Sequence, residues 1–132
     1  METKCQASNG SLPINAHVVG CLELPCSLPQ NQDVEIRVVF KAPYMLHDMK
    51  TRAVALMAIP INYPLGPNEV TCNFLNNSYC PILEGEIVEY SLKMFIEPWF
   101  PTIPVTIEFR VEDKNAVSVW CIRLPIVVVR PQ

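Results

Sequence analysis

Four runs of this chain alternate apolar and polar residues with a period of two, and that pattern constrains the fold more than any other feature. Val34, Ile36, Val38 and Phe40 alternate with Asp33, Glu35, Arg37 and Lys41. Val105, Ile107, Phe109 and Val111 alternate with Thr106, Glu108, Arg110 and Glu112. Val88, Tyr90, Leu92, Met94 and Ile96 form a third set. Trp120, Ile122, Leu124, Ile126 and Val128 form a fourth, with Cys121 and Arg123 on the opposite face. Side chains alternate across a strand, so each run has one dry face and one wet face, as in an antiparallel sheet of a two-layer structure. Ala53 to Ile59 is apolar throughout and reads as a strand covered on both sides, and Ile14 to Val19 as a short first strand. Most of the 13 prolines fall at or near the ends of these runs, where the missing N–H does no harm. No segment carries a helical stripe; Tyr44 to Lys50 has room for one turn. Six or seven strands separated by turn signals predict an all-β sandwich of two antiparallel sheets. Residues 1–132 suit one domain, without internal repeat or linker.

Half of the residues are hydrophobic and 17% are charged. Such a balance calls for a membrane segment or for an unusually apolar interior. No apolar stretch approaches the roughly 20 residues that span a bilayer, which leaves the interior. The net charge of −3 is scattered, and no basic stripe is present to meet phosphates, so nucleic acid is excluded as a partner. Six cysteines in a short chain indicate disulfides and an oxidising compartment. Two glycosylation sequons, at Asn9 and Asn76, agree with secretion. Met1 to Lys4 is unlike a signal peptide and reads as a mature chain with an added Met. Many pairings of six cysteines exist. The short separations favour Cys21 with Cys26 and Cys72 with Cys80, which leaves Cys5 and Cys121, but spacing does not fix this.

Catalytic and metal chemistry find little support. His17 and His47 are the only histidines, and neither lies in a nucleophile motif. Both are expected at the surface. Zinc on Cys21-x4-Cys26 plus Cys72-x7-Cys80 fits poorly with secretion and with the two remaining cysteines. Glu86 and Glu89 have no spacing special to paired-carboxylate catalysis. The four glycines are too scattered for a phosphate loop. The chain is therefore expected not to be an enzyme, and to need neither metal nor cofactor.

Several segments together carry a family resemblance. They are the order of the cysteines, the Cys21-x4-Cys26 pair, Ile59-Pro60-Ile61-Asn62-Tyr63-Pro64 before the fourth cysteine, and Tyr79-Cys80-Pro81-Ile82. Phe100-Pro101-Thr102-Ile103, Glu112-Asp113-Lys114-Asn115, Trp120-Cys121 and Leu124-Pro125-Ile126 continue it. From Cys5 onward the chain resembles the ML (lipid-recognition) domain family, and within it the Niemann–Pick type C branch with its arthropod members. The resemblance implies an immunoglobulin-like sandwich whose sheets splay at one edge around an apolar cavity. It also implies the pairs Cys5–Cys121, Cys21–Cys26 and Cys72–Cys80. It implies an entrance at Ile61, Tyr63, Ile96, Phe100 and Pro101, and a lining that includes Val38, Val54, Phe109 and Ile122. Vertebrate sterol carriers of the family have tryptophan at the last two positions. Phe109 and Ile122 therefore imply a cavity reshaped for a longer or more flexible ligand, with Trp120 refilling part of the space.

The expected function is that of a secreted monomeric carrier for one apolar molecule: a fatty acid, a sterol-like lipid or a hydrophobic semiochemical. The lysosomal lumen is the alternative location. A transient membrane or membrane receptor would take the cargo. Each buried methylene contributes about 0.8 kcal/mol, so an acyl chain needs few directed contacts. Met57 and Met94 suit an adaptable lining, and the Tyr63 hydroxyl is placed to meet a headgroup. Two other classes compete. A lipid-presenting recognition module or co-receptor would form a stable complex with a receptor ectodomain. An adhesion-type sandwich with a filled core would bind no ligand.

Overall fold

The computed structural model describes residues 3–5 and 12–131. Nine strands build two facing sheets: β1 (Thr3–Lys4), β2 (Asn15–Val18), β3 (Cys26–Pro29), β4 (Asp33–Lys41), β5 (Met49–Leu56), β6 (Pro60–Tyr63), β7 (Ile87–Phe95), β8 (Pro104–Asp113) and β9 (Ser118–Val129). The larger sheet runs β1-β9-β8-β5-β6, with β3 also on β9; the smaller runs β2-β4-β7. The four alternating runs are β4, β7, β8 and β9, and their apolar positions all face the space between the sheets. The expected short first strand is β2.

Three features differ from the sequence expectation. The larger sheet is not purely antiparallel, because β3 lies parallel to β9 with Cys26 opposite Ile126 and Leu28 opposite Val128. Its four residues are too few for their alternation to register in the sequence. Pro125 stands inside β9, within the fourth alternating run. On that side β9 pairs with β1 at Ile122 and Arg123 and with β3 from Ile126 onward, so Pro125 falls where no partner asks for an N–H. The strand expected at Ala53 to Ile59 begins earlier, at Met49, and ends at Leu56; Ala53 to Ala55 are buried, whereas Ile59 is exposed. Residues 44–50 make no helical turn: Leu46 bridges to Ile82, and Met49 opens β5. The two short 3-10 turns lie instead at Gly66–Glu69 and Thr71–Phe74.

All six cysteines are paired as Cys5–Cys121, Cys21–Cys26 and Cys72–Cys80. The first pair spans 116 residues and ties the N-terminal strand to β9. Closing a loop of that size contributes about 4–5 kcal/mol in the chain-entropy model. The β8–β9 turn is held by Asp113, whose Oδ1 accepts from the backbone N–H of Asn115 (2.8 Å) and Val117 (3.0 Å). Ala116 there adopts φ 63°, a left-handed conformation that this pair of bonds helps to hold. Among the described residues, no helix is long and apolar enough to cross a membrane.

Candidate functional site between the sheets

Residues directly opposite one another in adjacent strands point to the same face, so the register gives the lining of the sandwich in rows. One row runs Tyr63, Ala53, Phe109, Ile122 across β6, β5, β8 and β9. The next runs Ile61, Ala55, Ile107, Leu124, and on the other side lies Thr51, Val111, Trp120. Facing them, β4 and β7 contribute Val38 beside Tyr90, Ile36 beside Leu92 and Val34 beside Met94. The residues β5 presents inward between Thr51 and Ala55 are small, whereas those of its neighbours are large. That strip of low side-chain volume lies next to the edge where β6 and β7 approach each other. The sequence signal for it is the pair Ala53 and Ala55 in an otherwise bulky run.

Of the residues expected to line a ligand site, Val38, Tyr63, Met94, Ile96, Phe100, Phe109, Trp120 and Ile122 are brought into one apolar cluster between the sheets, with Met57 packed against it. Ile61 stands at the end of its row and is 40% exposed, at the rim. Pro101 is exposed in the loop before β8. Val54 is a correction. It pairs with Asn62 and Glu108 on the outer face of the sheet and takes no part in the interior cluster. An apolar run without alternation gives no parity, and the strand places Ala53 and Ala55 inward instead.

The rim is aromatic. Tyr63, Trp99 and Phe100 form a triad with ring centroids 5.6–6.0 Å apart. Phe100 is buried, whereas Trp99 is 60% exposed, and Ile59 and Phe95 nearby are exposed as well. The Tyr63 hydroxyl donates to the Phe95 carbonyl (2.8 Å) and accepts from the Glu97 N–H (2.8 Å). It thus clamps β6 to the end of β7. Burial raises its pKa, so it stays a neutral phenol. A cleft of about 220 Å³ lies against β5 and β6 at this edge, lined by Thr51, Arg52, Ala53, Asn62, Tyr63, Pro64 and Glu69.

A second pin between the sheets lies deeper. The Thr51 hydroxyl is 2.6 Å from the Tyr90 hydroxyl and 2.7 Å from the Thr71 hydroxyl. All three residues are closed to water, and desolvation pushes the Tyr90 pKa strongly up. Beyond this pin stands a second aromatic group, Phe40, Tyr90 and Trp120, with Trp120 6.2 Å from Phe40 and 6.5 Å from Tyr90. The hydroxyl pin, the inward alanines and the exposed Trp99 were all missed in the sequence.

The outer face of the larger sheet is ionic. Glu108 accepts from Arg110 (3.0 Å) and Arg123 (3.2 Å), and Glu112 from Arg110 (2.9 Å). Glu108 lies close to Cys5 and Cys121, but those sulfurs are bonded to each other and are not thiolates that could bind a metal. His17 and His47 are exposed. Asn76 is exposed, and its side-chain nitrogen donates to Ser91 Oγ (2.8 Å); Asn9 lies outside the described residues.

Comparison with known proteins agrees with this architecture. The family model of the ML domain matches residues 3–128. This chain belongs to the ML domain family. Its relatives include the NPC intracellular cholesterol transporter 2 of Danio rerio, 22% identical over 95% of this chain and 82% of that protein. The Bos taurus protein of the same name is 26% identical over 85% of this chain and 74% of its own length. The crystal structure of a Niemann-Pick type C2 protein from Japanese carpenter ant superposes with a TM-score of 0.84, covering 98% of this chain and 99% of that one at 17% identity. At that identity the likeness speaks for the fold, a two-sheet sandwich with little helix.

Proposed function

We propose that this ML domain binds one apolar lipid between its sheets and carries it, as a secreted monomer, to a membrane or a membrane receptor. The observation that carries this reading is the strip of small inward side chains on β5, lying in a continuous apolar interior and ending at a rim with Trp99 and Ile61 exposed. Burial of an acyl chain supplies the driving force, and the adaptable Met94 and Met57 let the lining follow its shape. Transport of cholesterol, the activity named for the vertebrate relatives, belongs to the same class. Phe109 and Ile122 favour a long flexible chain over a rigid sterol, because the row they share with Ala53 carries no indole. The proposed role needs no catalysis, metal or cofactor.

Displacement of a fluorescent apolar probe from delipidated protein by oleic acid and by cholesterol tests the reading. Oleic acid is expected to displace the probe, and cholesterol to displace it weakly or not at all. A probe that never binds would show a filled sandwich and replace the carrier with an adhesion or recognition module.

A further inference from the structure

The segment between β7 and β8 crosses from the smaller sheet to the larger and carries Trp99 and Phe100. Phe100 is buried in the apolar cluster, so this crossing covers the interior at the rim. Its own backbone does little to hold it. Pro98 and Pro101 have no N–H to give, and the bonds within the segment are two short turns. In these the Phe100 N–H donates to the Glu97 carbonyl (3.1 Å) and the Ile103 N–H to the Pro101 carbonyl (3.0 Å). The two ends are fixed: the Glu97 N–H donates to the Tyr63 hydroxyl (2.8 Å), and the Ile103 carbonyl accepts from the Val128 N–H (3.1 Å). Between those ends, the hydrogen bonds reaching in from the rest of the described residues come from one side chain. Gln30 Nε2 donates to the Pro98 carbonyl (3.3 Å) and to the Phe100 carbonyl. Two carbonyls face that amide, so its nitrogen and not its oxygen is the atom that meets them.

Gln30 itself is firmly seated. It lies in the turn that joins β3 of the larger sheet to β4 of the smaller. Its N–H donates to the Val129 carbonyl at the end of β9 (2.9 Å), and the N–H of Asn31 donates to the Ile96 carbonyl just after β7 (2.6 Å). The Ile96 N–H donates in return to the Gln32 carbonyl (2.9 Å). Asn31 takes φ 64°, a left-handed conformation that asparagine tolerates better than most residues. The turn is thus tied to both sheets, whereas the middle of the crossing is tied to the turn.

We propose that Gln30 is a positioning residue for cargo exchange: its amide latches the backbone of Pro98 and Phe100, and the latch opens before Phe100 swings aside and a lipid passes the rim. The proposal rests on the carrier reading above. The latch is made in the empty and the loaded closed states alike and is broken only while the rim is open. A contact made equally in two states shifts nothing between them, so removing it lowers the barrier in both directions and leaves affinity where it was.

Stopped-flow association and release of N-phenyl-1-naphthylamine on the delipidated full chain test this. Gln30→Glu keeps the shape and loses the donors; Gln30→Lys changes the shape and keeps a donor. Gln30→Glu is expected to speed association and release by the same factor, about tenfold, the size of two neutral hydrogen bonds near water, with Kd unchanged within about twofold. Gln30→Lys is expected to hold both rates within about threefold of the parent. Gln32→Ala, exposed in the same turn, is the control and is expected to change neither rate. In the empty protein, hydrogen exchange at the Phe100 amide is expected to quicken in Gln30→Glu and not in Gln30→Lys. A merely structural role would instead quicken exchange along β4 as well and weaken Kd. If the probe binds and Gln30→Glu leaves both rates unchanged, or alters release alone, the latch falls while the carrier stands. If the probe binds neither parent nor variants, carrier and latch fall together.

Discussion

The two ends of the interior are built from similar residues and behave oppositely. At the rim, Tyr63, Trp99 and Phe100 stack with a tryptophan 60% exposed and a tyrosine hydroxyl fully engaged by backbone. At the far end, Phe40, Tyr90 and Trp120 stack with a tryptophan 1% exposed and an indole nitrogen that has no acceptor among the described residues. The rim leaves apolar surface in water and satisfies its polar groups; the floor hides its apolar surface and leaves a polar group unpaired. Exposed apolar side chains cost little and are free to meet a lipid or a membrane. An unpaired buried donor costs stability continuously unless something enters to meet it. The same three kinds of ring therefore stay partly in water at one end and are sealed from it at the other.

Truncating the two tryptophans separates the ends most sharply. Trp120→Ala is expected to lower stability by about 3–5 kcal/mol, as for other large buried side chains, whereas Trp99→Ala costs no more than about 0.5 kcal/mol. Urea unfolding of both variants measures this, and equal losses would erase the distinction between the ends. A smaller effect comes from the hydroxyls. Tyr63→Phe removes two backbone bonds at the rim and is expected to cost about 1–2 kcal/mol and to speed probe exchange. Tyr90→Phe is expected to cost about 1 kcal/mol and to leave exchange unchanged, because Thr51 still has Thr71. Stopped-flow release of bound probe decides between them. The smallest effect is electrostatic and lies at the floor end, where the Tyr44 hydroxyl donates to Asp113. That bond holds the Asp113 carboxyl below its ordinary pKa and pushes Tyr44 up to about 12. A depressed carboxyl stabilises the fold above its unfolded pKa and loses the contribution as pH falls below about 4. Asp113→Asn should therefore flatten the acid limb of a plot of Tm against pH, with a change at neutral pH under about 0.5 kcal/mol. An unaltered acid limb would remove Asp113 from the account.

How far the sequence reached depended on whether a property was local. Alternation in β4, β7, β8 and β9 assigned each residue to a face, and the structure keeps every one of those assignments. The same argument had no purchase on Ala53 to Ile59, where both faces are apolar, and that is where Val54 was placed on the wrong side. β3 was invisible because a four-residue strand beside β9 owes its existence to its neighbour.

By itself the sequence determined the sandwich, the oxidised cysteines and the apolar character of the interior, since these follow from residue type and a period of two. Only the tertiary structure decided that Tyr63 bonds its hydroxyl to the β7 end, that Thr51 meets Tyr90 across the sheets, and that the Trp120 indole meets no acceptor among the described residues. The reason is geometric. Which hydrogen-bonding groups face one another across the interior depends on how two sheets are laid over each other, and no spacing along one chain encodes that overlay.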